Sequence, residues 1–304
     1  MSDRPLVSII VPSFNQGRYI RETLDSILSQ DYRPIEVLVM DGGSTDETTD
    51  VLKSYNIPEL QWVSEPDHGV ADAVNKGIAR AAGEIIAVQS SDDLYKPGAI
   101  STVVGALQRS NAGLLYGDME FIDARSTIGG RTDLRPFDLA EYAGKVTYVP
   151  QPAAFFRAAA ARDVGPWRED LPYACDAEFY LRIAERFGAE KIDGVLAQYR
   201  HHDEQRDTSG AKIIRDWTRA IEPWTHHRDS RVRRYARGGI EAVRHRYTPE
   251  AQWARRSVAL YRSVLKNPAL LRYPEVRRHP DWIFGREPIW RALSRLKQWL
   301  RRRR

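Results

Sequence analysis

Cysteine is nearly absent from this chain, since Cys175 is its single example among 304 residues. One thiol excludes an internal disulfide and every metal site that needs several cysteines. It also fits a reducing compartment, because stable disulfides are typical of secreted proteins. Hydrophobic residues make up 42% of the chain, an ordinary value for a protein with a packed core. We therefore expect a cytoplasmic protein.

Long hydrophobic runs are missing as well. The first apolar stretch ends at Pro12, so it predicts a first strand and not a signal peptide. No segment approaches the roughly 18 apolar residues that a membrane-spanning helix needs. The sequence thus predicts a protein that does not cross a membrane.

Three common signatures are also absent. No G-x-G-x-x-G follows the first predicted strand, which disfavours a dinucleotide-binding fold. The P-loop pattern G-x-x-x-x-G-K-[ST] does not occur either, so a P-loop nucleotide hydrolase is disfavoured. The chain lacks the G-x-S-x-G elbow, which argues against a hydrolase of that class.

Charge is distributed unevenly along the chain. Residues 211–304 contain 25 Lys and Arg against 8 Asp and Glu, a balance of +17. Residues 1–210 contain 21 basic and 33 acidic residues, a balance of −12. This division suggests two functions on one chain. We expect a catalytic domain over residues 1–210 and a helical, Arg-rich region over residues 211–304.

Strands and helices alternate in the first part of the sequence. The predicted strands are Leu6–Val11, Ile35–Met40, Gln61–Ser64, Glu84–Gln89, Gly113–Tyr116, Ala153–Phe156 and Val195–Tyr199. Helices are predicted over Arg18–Gln30 and Val70–Ala82, from Pro97 onward, and over Cys175–Phe187. This order is typical of an α/β fold with a mostly parallel sheet and helices on both faces. In such sheets, ligands bind beyond the carboxyl ends of the strands.

Acidic residues follow the second and fourth predicted strands. Asp92 and Asp93 could hold a Mg²⁺ or Mn²⁺ ion that bridges a diphosphate, because these ions prefer oxygen ligands. The alternative is a solvated turn or a helix cap ahead of Pro97, which is the more common origin of an isolated Asp-Asp pair. Asp41 could accept a hydrogen bond from a base N–H such as that of uracil, or it could belong to a simple turn.

Two further segments carry candidate functional residues. Asp176 begins a predicted helix, where it could cap the helix or take a proton from an incoming hydroxyl group. His201 and His202 follow a predicted strand, and one of them could be a third metal ligand. The alternative is a solvated histidine pair on a loop.

Taken together, six segments resemble glycosyltransferase family 2, whose members adopt the GT-A fold. They are VSIIVPSFNQG, IEVLVMDGGSTDET, SEPDHGVADAVNKGIARAAGEIIAVQSSDD, QPAAFFR, YACDAEFYLRIA and VLAQYRHH, which arrive in the family's order. The resemblance covers about Pro5 to Asp203. It implies a Rossmann-like sheet with a nucleotide-sugar half over about 1–115 and an acceptor half over about 116–210.

The resemblance also implies roles for individual residues. The nucleotide-sugar site would contain Pro12, Phe14, Asn15, Asp41, Glu65, Asp67, Asn75, Lys76 and Asp92. The resemblance would place Asp93 on the metal and Asp92 on the ribose side or the metal, although Ser91 stands where the family's Asp-x-Asp motif has its first Asp. His202 stays a candidate for a further metal ligand. Asp176 would be the catalytic base, with Gln151 and Arg182 at flanking positions.

The implied activity is metal-dependent transfer of a sugar from a nucleotide-sugar to an acceptor hydroxyl. One base and in-line attack favour inversion at the anomeric carbon, with retention left open. A uridine donor is favoured, although guanosine and thymidine donors occur in the family. The acceptor would be a glycan or a lipid-linked molecule in cell-surface polysaccharide or glycolipid synthesis.

Two alternatives remain at this point. A sugar-phosphate nucleotidyltransferase would be expected to carry a Gly-rich loop with a basic residue after the first strand, where this chain has PSFNQG. A catalytically inactive nucleotide-sugar-binding module would not need both Asp93 and Asp176, which this chain retains.

The C-terminal segment Gly285–Arg304 predicts a basic amphipathic helix. Ile289, Trp290, Leu293, Leu296, Trp299 and Leu300 fall on one helical face. Such a helix commonly lies in the membrane interface, where anionic lipid attracts its basic side chains. Packing against the catalytic domain is the alternative. We expect peripheral contact with the inner face of the cell membrane and no binding of nucleic acid, because no nucleic-acid motif is present.

Overall fold

The computed structural model describes residues 4–203, 210–249, 252–273 and 276. The chain divides into two compact units. The first comprises residues 1–142 and 147–206, and the second comprises residues 143–146 and 207–304. The first contains the sheet, whereas the described residues of the second are mostly helical. The predicted helix over Gly285–Arg304 lies outside the described residues.

Nine strands occur in the part of the chain that the structure describes. They are β1 Val7–Ser13, β2 Ile35–Asp41, β3 Leu60–Ser64, β4 Ile85–Val88, β5 Leu94–Tyr95, β6 Leu114–Asp123, β7 Ile128–Arg131, β8 Ala154–Arg157 and β9 Ala189–His201. The helices that accompany them are α1 Ile20–Leu28, α2 Thr48–Lys53, α3 Val70–Arg80, α4 Ala99–Arg109, α5 Leu139–Ala143, α6 Ala158–Val164 and α7 Cys175–Phe187. A short 3-10 helix over Gln151–Ala153 precedes β8.

The strand order is β3-β2-β1-β4-β8-β6-β9-β5, with β7 paired to β6. The first four strands are parallel, as the alternation of strands and helices predicts. Beyond β4 the sheet is mixed, because β8 is antiparallel to both β4 and β6. The strand β8 begins at the edge of the sheet where β1 to β4 end. It can therefore pair with β4 without a crossover helix, because antiparallel neighbours do not need one. The strand β9 is parallel to β6, so both run in the direction of β1 to β4.

Several boundaries differ from the sequence predictions. The strands β6 and β9 extend beyond the predicted apolar segments, to 10 and 13 residues, and their extensions contain charged residues and glycine that interrupt the apolar pattern. The two-residue strand β5 and the exposed strand β7 show no apolar run that would have predicted them. The helix expected from Pro97 begins at Ala99, after Gly98 adopts a φ of 77°.

The core of the first unit forms around β1, in which all seven residues are buried. Such a strand reads as a continuous apolar run because helices cover both of its faces. Gly77 in α3 allows this helix to pack closely on Ile10, since a Cβ atom on Gly77 would lie 2.4 Å from the Ile10 Cγ2. The fold therefore fixes α3 directly against the central strand.

The second unit contains α8 Gly210–Ile221, a 3-10 helix Glu222–His226, α9 Ser230–Tyr247, α10 Trp253–Lys266 and a 3-10 helix Pro268–Arg272. The helices α9 and α10 are antiparallel neighbours. Ser263 Oγ donates to the Gly238 carbonyl at 3.0 Å, and Lys266 Nζ donates to Glu241 Oε1 at 2.6 Å. Among the described residues, no helix combines the length and the apolar character that spanning a membrane requires.

Two glycine-to-alanine changes test the packing of the first unit. We expect Gly77→Ala to lower the free energy of unfolding by about 1 to 3 kcal/mol, because the added methyl overpacks a buried β-branched side chain. Gly105→Ala in α4 should raise it by roughly 0.5 to 1 kcal/mol, because its Cβ meets only Arg109 Nη1 at 3.6 Å. Urea unfolding of both variants measures the difference. Equal stabilities would contradict the described packing of α3.

Candidate active site

The candidate residues lie along one edge of the sheet. Asp41 ends β2, and Asp92 and Asp93 follow β4, so the parallel strands bring them to the same edge. Gly188 alone separates α7 from β9, so α7 runs back along the sheet and its first turn lies toward that edge. Asp176 occupies this first turn. The carboxylates predicted from separate parts of the sequence thus share one edge.

Two loops at this edge are joined by hydrogen bonds between side chains and backbone. Asn15 Oδ1 accepts from the Thr45 N–H at 2.9 Å, and the Asn15 N–H donates to Ser44 Oγ at 2.7 Å. The Gly17 N–H donates to Asp46 Oδ2 at 2.9 Å. Asn15 adopts a φ of 53°, a left-handed conformation that asparagine tolerates. The loop after β1 is therefore held by the loop after β2.

Asp41 is 2% exposed and accepts several hydrogen bonds. Its carboxylate accepts from the Ser44 N–H at 2.9 Å, from Ser44 Oγ at 2.5 Å and from Ser64 Oγ at 2.6 Å. A carboxylate has about four lone-pair positions, so little acceptor capacity is left for a ligand. Of the neighbouring predicted residues, Pro12 is buried within β1, whereas Phe14 is 58% exposed at the edge.

A small cleft beside Asp41 is lined by charged residues. Its lining comprises Met40, Asp41, Val63, Glu65, Asp67, Ala73, Lys76 and Arg80. Lys76 Nζ lies 3.2 Å from Glu65 Oε1 and 3.2 Å from Asp72 Oδ2. Asp67 accepts from the Gly69 N–H at 2.7 Å. Of the predicted nucleotide-sugar residues, the structure brings Asp41, Glu65, Asp67 and Lys76 together here.

Asn75 makes contacts of a different kind. Its Nδ2 donates to the Trp167 carbonyl at 2.9 Å, and its Oδ1 accepts from the Trp167 N–H at 2.8 Å. The Nδ2 and Oδ1 atoms of Asn75 therefore both bind the backbone of Trp167, which lies 92 residues further along the chain. Asn75 lies on α3, and these bonds hold the segment before α7 against that helix.

The two adjacent carboxylates after β4 differ in environment. Asp92 is partly exposed, and its Oδ2 lies 3.0 Å from the Nε2 of His202. Asp93 is fully buried; its Oδ1 accepts from the Arg200 N–H at 2.8 Å, while its Oδ2 has no hydrogen-bond partner. Burial, and then the charge of Asp92, raise the pKa of Asp93 well above its usual value. An unpartnered buried carboxylate oxygen is costly unless a proton or a cation is close to it.

Arg200 connects this acidic turn to two other segments, the start of α1 and the turn after β6. The side chain is fully buried, and its Nε donates to the Asp92 carbonyl at 2.8 Å. One terminal nitrogen donates to Ser126 Oγ at 2.8 Å, and the other donates to Glu22 Oε2 at 2.8 Å. The guanidinium also lies 4.8 Å from the ring centre of Tyr19. The same residue thus holds the backbone of Asp92 and the carboxylate of Asp93.

Sequence reasoning overlooked Arg200, Glu22 and Tyr19. Arg200 belongs to the YRHHD segment, in which only the histidines were predicted to be functional. A usable signal was present, because an arginine at the end of an apolar strand needs partners when it is buried. Tyr19 also contacts the site, with its ring centre 4.9 Å from that of His202.

Asp176 is half-buried at the start of α7, close to buried phenols. Burial mainly, and then the charge of Asp176, raise the pKa of Tyr142 and of Tyr180 well above the usual value. Gln151 lies near the acidic turn, since its Oε1 accepts from Ser90 Oγ at 3.0 Å. Arg182 instead donates to the carbonyls of Val164, Gly165 and Pro166 and to Glu178.

The comparison with protein families gives a clear match. The family model “Glycosyl transferase family 2” matches residues 8–165, just over half of the chain. The chain belongs to this family. An uncharacterized glycosyltransferase of Mycobacterium tuberculosis strain H37Rv is 32% identical over 220 residues, which cover 71% of this chain and 80% of the relative. Another uncharacterized glycosyltransferase, from Rickettsia typhi, is 26% identical over 221 residues, or 70% and 69% of the two chains.

Solved structures agree on the fold. S. aureus TarS 1-349 in complex with UDP-GlcNAc has a TM-score of 0.66 at 18% identity, covering 90% of this chain and 86% of TarS. The mannosyltransferase PcManGT from Pyrobaculum calidifontis, in complex with GDP-Man and Mn²⁺, has a TM-score of 0.62 at 21% identity, covering 91% and 83%. The predicted GT-A fold and the predicted enzyme class, a glycosyltransferase, are confirmed.

Arg200→Lys tests whether the guanidinium positions the acidic turn. Lysine keeps the charge, but a single ammonium group cannot reach the Asp92 carbonyl, Ser126 and Glu22 together. We expect turnover, followed as release of nucleoside diphosphate from a nucleotide-sugar, to fall roughly 10- to 100-fold, as for other residues that orient a metal or catalytic group.

Glu22→Gln is the matched control for this change. It removes the exposed ion pair and leaves the contacts of Arg200 with the acidic turn, so its effect on turnover should be much smaller. Circular dichroism of both variants separates misfolding from loss of turnover. Turnover of Arg200→Lys at the wild-type level would contradict the positioning role.

Proposed function

We propose that this glycosyltransferase transfers a sugar from a nucleotide-sugar to an acceptor hydroxyl in a metal-dependent, inverting reaction. The observation that supports this proposal most is the pairing of Asp92 with His202 beside the buried Asp93. These residues lie at the sheet edge that also contains Asp41 and Asp176. Membership of glycosyltransferase family 2 argues against a sugar-phosphate nucleotidyltransferase. A measurement of turnover tests whether the chain is instead a catalytically inactive nucleotide-sugar-binding module.

Asp92 and His202 are the side chains that would hold a divalent ion. A carboxylate is a preferred ligand of Mg²⁺ and Mn²⁺, and the imidazole nitrogen lies at hydrogen-bond distance from it. The Asp92 Oδ2 and His202 Nε2 atoms are separated by 3.0 Å. Within the described ranges, no group of three or more His, Cys, Asp or Glu side chains is placed to hold a metal. The remaining ligands would thus be water and diphosphate oxygens, an arrangement common for Mg²⁺.

Asp93 has a distinct part in this proposal. The sequence assigns the metal to Asp93, with Asp92 on the ribose or on the metal. In the structure Asp92 is the carboxylate with an exposed oxygen, whereas Asp93 holds the β9 backbone through Arg200. We therefore assign the direct metal contact to Asp92 and His202. Asp93 supports the site by accepting from the Arg200 N–H, which holds the acidic turn on β9.

The metal, when bound, would offset the charge that develops on the departing nucleoside diphosphate. The residues of the chain would orient the reactants around it. Asp176 would accept the proton of the acceptor hydroxyl. Its position in the first turn of α7 favours the ionised carboxylate, because the helix dipole stabilises negative charge there. One base acting opposite the leaving group gives inversion.

The donor proposal rests on the cleft beside Asp41. Of the relatives, TarS is seen with UDP-GlcNAc and PcManGT with GDP-Man, so the fold accommodates more than one base. We keep a uridine donor as the proposal, with Glu65, Asp67 and Lys76 at the cleft wall. A thermal-shift panel of nucleoside diphosphates, with and without Mn²⁺, tests it. A larger shift with GDP than with UDP would contradict it.

The acceptor is proposed to be a glycan or a lipid-linked molecule in cell-surface polysaccharide or glycolipid synthesis. The proposed membrane contact of residues 285–304 would bring the enzyme to such acceptors at the inner face of the membrane. The basic and tryptophan-containing sequence of this segment supports that placement.

Metal binding can be measured separately from catalysis. With nucleoside diphosphate present, Mn²⁺ should raise the melting temperature of the wild-type protein, and chelation should reverse the effect. Asp92→Asn should abolish the Mn²⁺-dependent shift, and His202→Gln should weaken it. Asp93→Asn should retain it, because an amide oxygen can still accept the Arg200 N–H. The opposite pattern, with the shift lost only in Asp93→Asn, would restore the metal to Asp93.

The general base is tested by Asp176→Asn. Asp176 lies in the first turn of α7, whose N-cap is Ala174, and asparagine has nearly the same shape as aspartate, so the stability should change little. Transfer should fall by about 100- to 10,000-fold, the usual contribution of a general base. Asp229→Asn is a control for the loss of a carboxylate at a helix N-terminus outside the candidate site, where Asp229 caps α9 by accepting from the Arg231 N–H at 2.7 Å. Wild-type turnover in Asp176→Asn would exclude this residue as the base.

A further inference from the structure

The helix α10 and the 3-10 helix that follows it expose an unusual combination of side chains. Residues 252–273 contain five Lys or Arg residues and no Asp or Glu. Within this segment Val258, Leu265 and Leu271 are exposed by 47%, 78% and 42% of their surface. They represent half of the six large hydrophobic side chains described as exposed in the chain. Exposed apolar side chains collected on one short segment indicate an interaction surface.

The exposed residues of α10 form one face. Arg255, Val258, Arg262 and Leu265 follow each other at intervals of three and four residues, so they lie along one side of the helix. Lys266 extends this side and is 44% exposed. The opposite side packs into the second unit, where Ser257 and Ser263 are 2% exposed. Basic and apolar side chains therefore alternate along the outward face.

The neighbouring helix α9 adds further basic residues. Arg234, Arg237 and Arg244 are exposed there. The acid between the two helices, Glu241, is only 2% exposed and already contacts Lys266. The outward face of α9 and α10 is thus cationic, and the nearby acid is buried and neutralised by its partners.

We propose that the outward face of α10 docks on an anionic lipid surface. Exposed leucine and valine flanked by arginine and lysine are the elements that such a surface binds, through apolar burial and charge attraction together. Nucleic acid would use the cations but would leave the apolar side chains without a partner. A second copy, or residues 277–304 with ten Lys and Arg, would bring like charges together. The proposal deepens the membrane contact proposed for residues 285–304, but it concerns a separate segment.

A fluorescent label at residue 265 tests contact of this face itself. Leu265→Cys in the full chain introduces an exposed thiol, while the native Cys175 is 3% exposed. A nitrobenzoxadiazole dye on this thiol should gain several-fold in intensity and shift to shorter wavelength with vesicles of equal parts phosphatidylcholine and phosphatidylglycerol. Phosphatidylcholine vesicles alone should give little change. The labelled Ile128→Cys, on exposed β7 of the first unit, is the control that should not respond.

Leu265→Glu completes the experiment, because it introduces a repelling charge at an exposed position that the core does not use. Flotation of this variant with anionic vesicles should be several-fold weaker than that of the wild type. Vesicle binding without a response of the dye at residue 265 would overturn the proposal and leave the contact to residues 285–304. Absence of binding, or an equal dye response to an oligonucleotide, would overturn it as well.

Discussion

A buried guanidinium determines the arrangement of the sheet edge that contains the candidate site. Arg200 has no exposed surface, so each of its donors needs an acceptor within the protein. Those acceptors come from α1, from the acidic turn after β4 and from the end of β6. Two adjacent carboxylates would otherwise repel each other and displace their turn. The guanidinium of Arg200 lies behind that turn, and the Arg200 N–H donates to Asp93. Together they keep the turn in place on the strand β9.

Much of the fold could be predicted from local sequence pattern. Continuous apolar runs indicated β1, β2 and β4, and the predicted bounds of α7 agree with the structure. The pattern failed where strands are half exposed or very short, as in the second half of β6 and in β5. There the pairing of distant strands determines the structure, and single-sequence periodicity carries no information on that pairing.

The site was predictable in outline for a related reason. Parallel strands place their carboxyl ends together, which was sufficient to bring Asp41, Asp92 and Asp93 to one edge. The hydrogen-bond partners could not be predicted in the same way. The amide of Asn75 binds the backbone of Trp167, and no local pattern connects those two positions. The burial of Asp93 and the partial exposure of Asp92 likewise depend on β9, which lies more than 100 residues later in the sequence.

The bonds between the loops after β1 and β2 have a consequence for comparing or exchanging parts among related enzymes. Asn15 depends on Ser44 and Thr45, and Gly17 depends on Asp46, so a substitution in one loop removes a partner from the other. The segments PSFNQG and DGGSTDET therefore form one structural unit, although 23 residues lie between them. A chimera that takes only one of them would combine mismatched halves, whereas transplanting both would conserve the hydrogen bonds between the two loops.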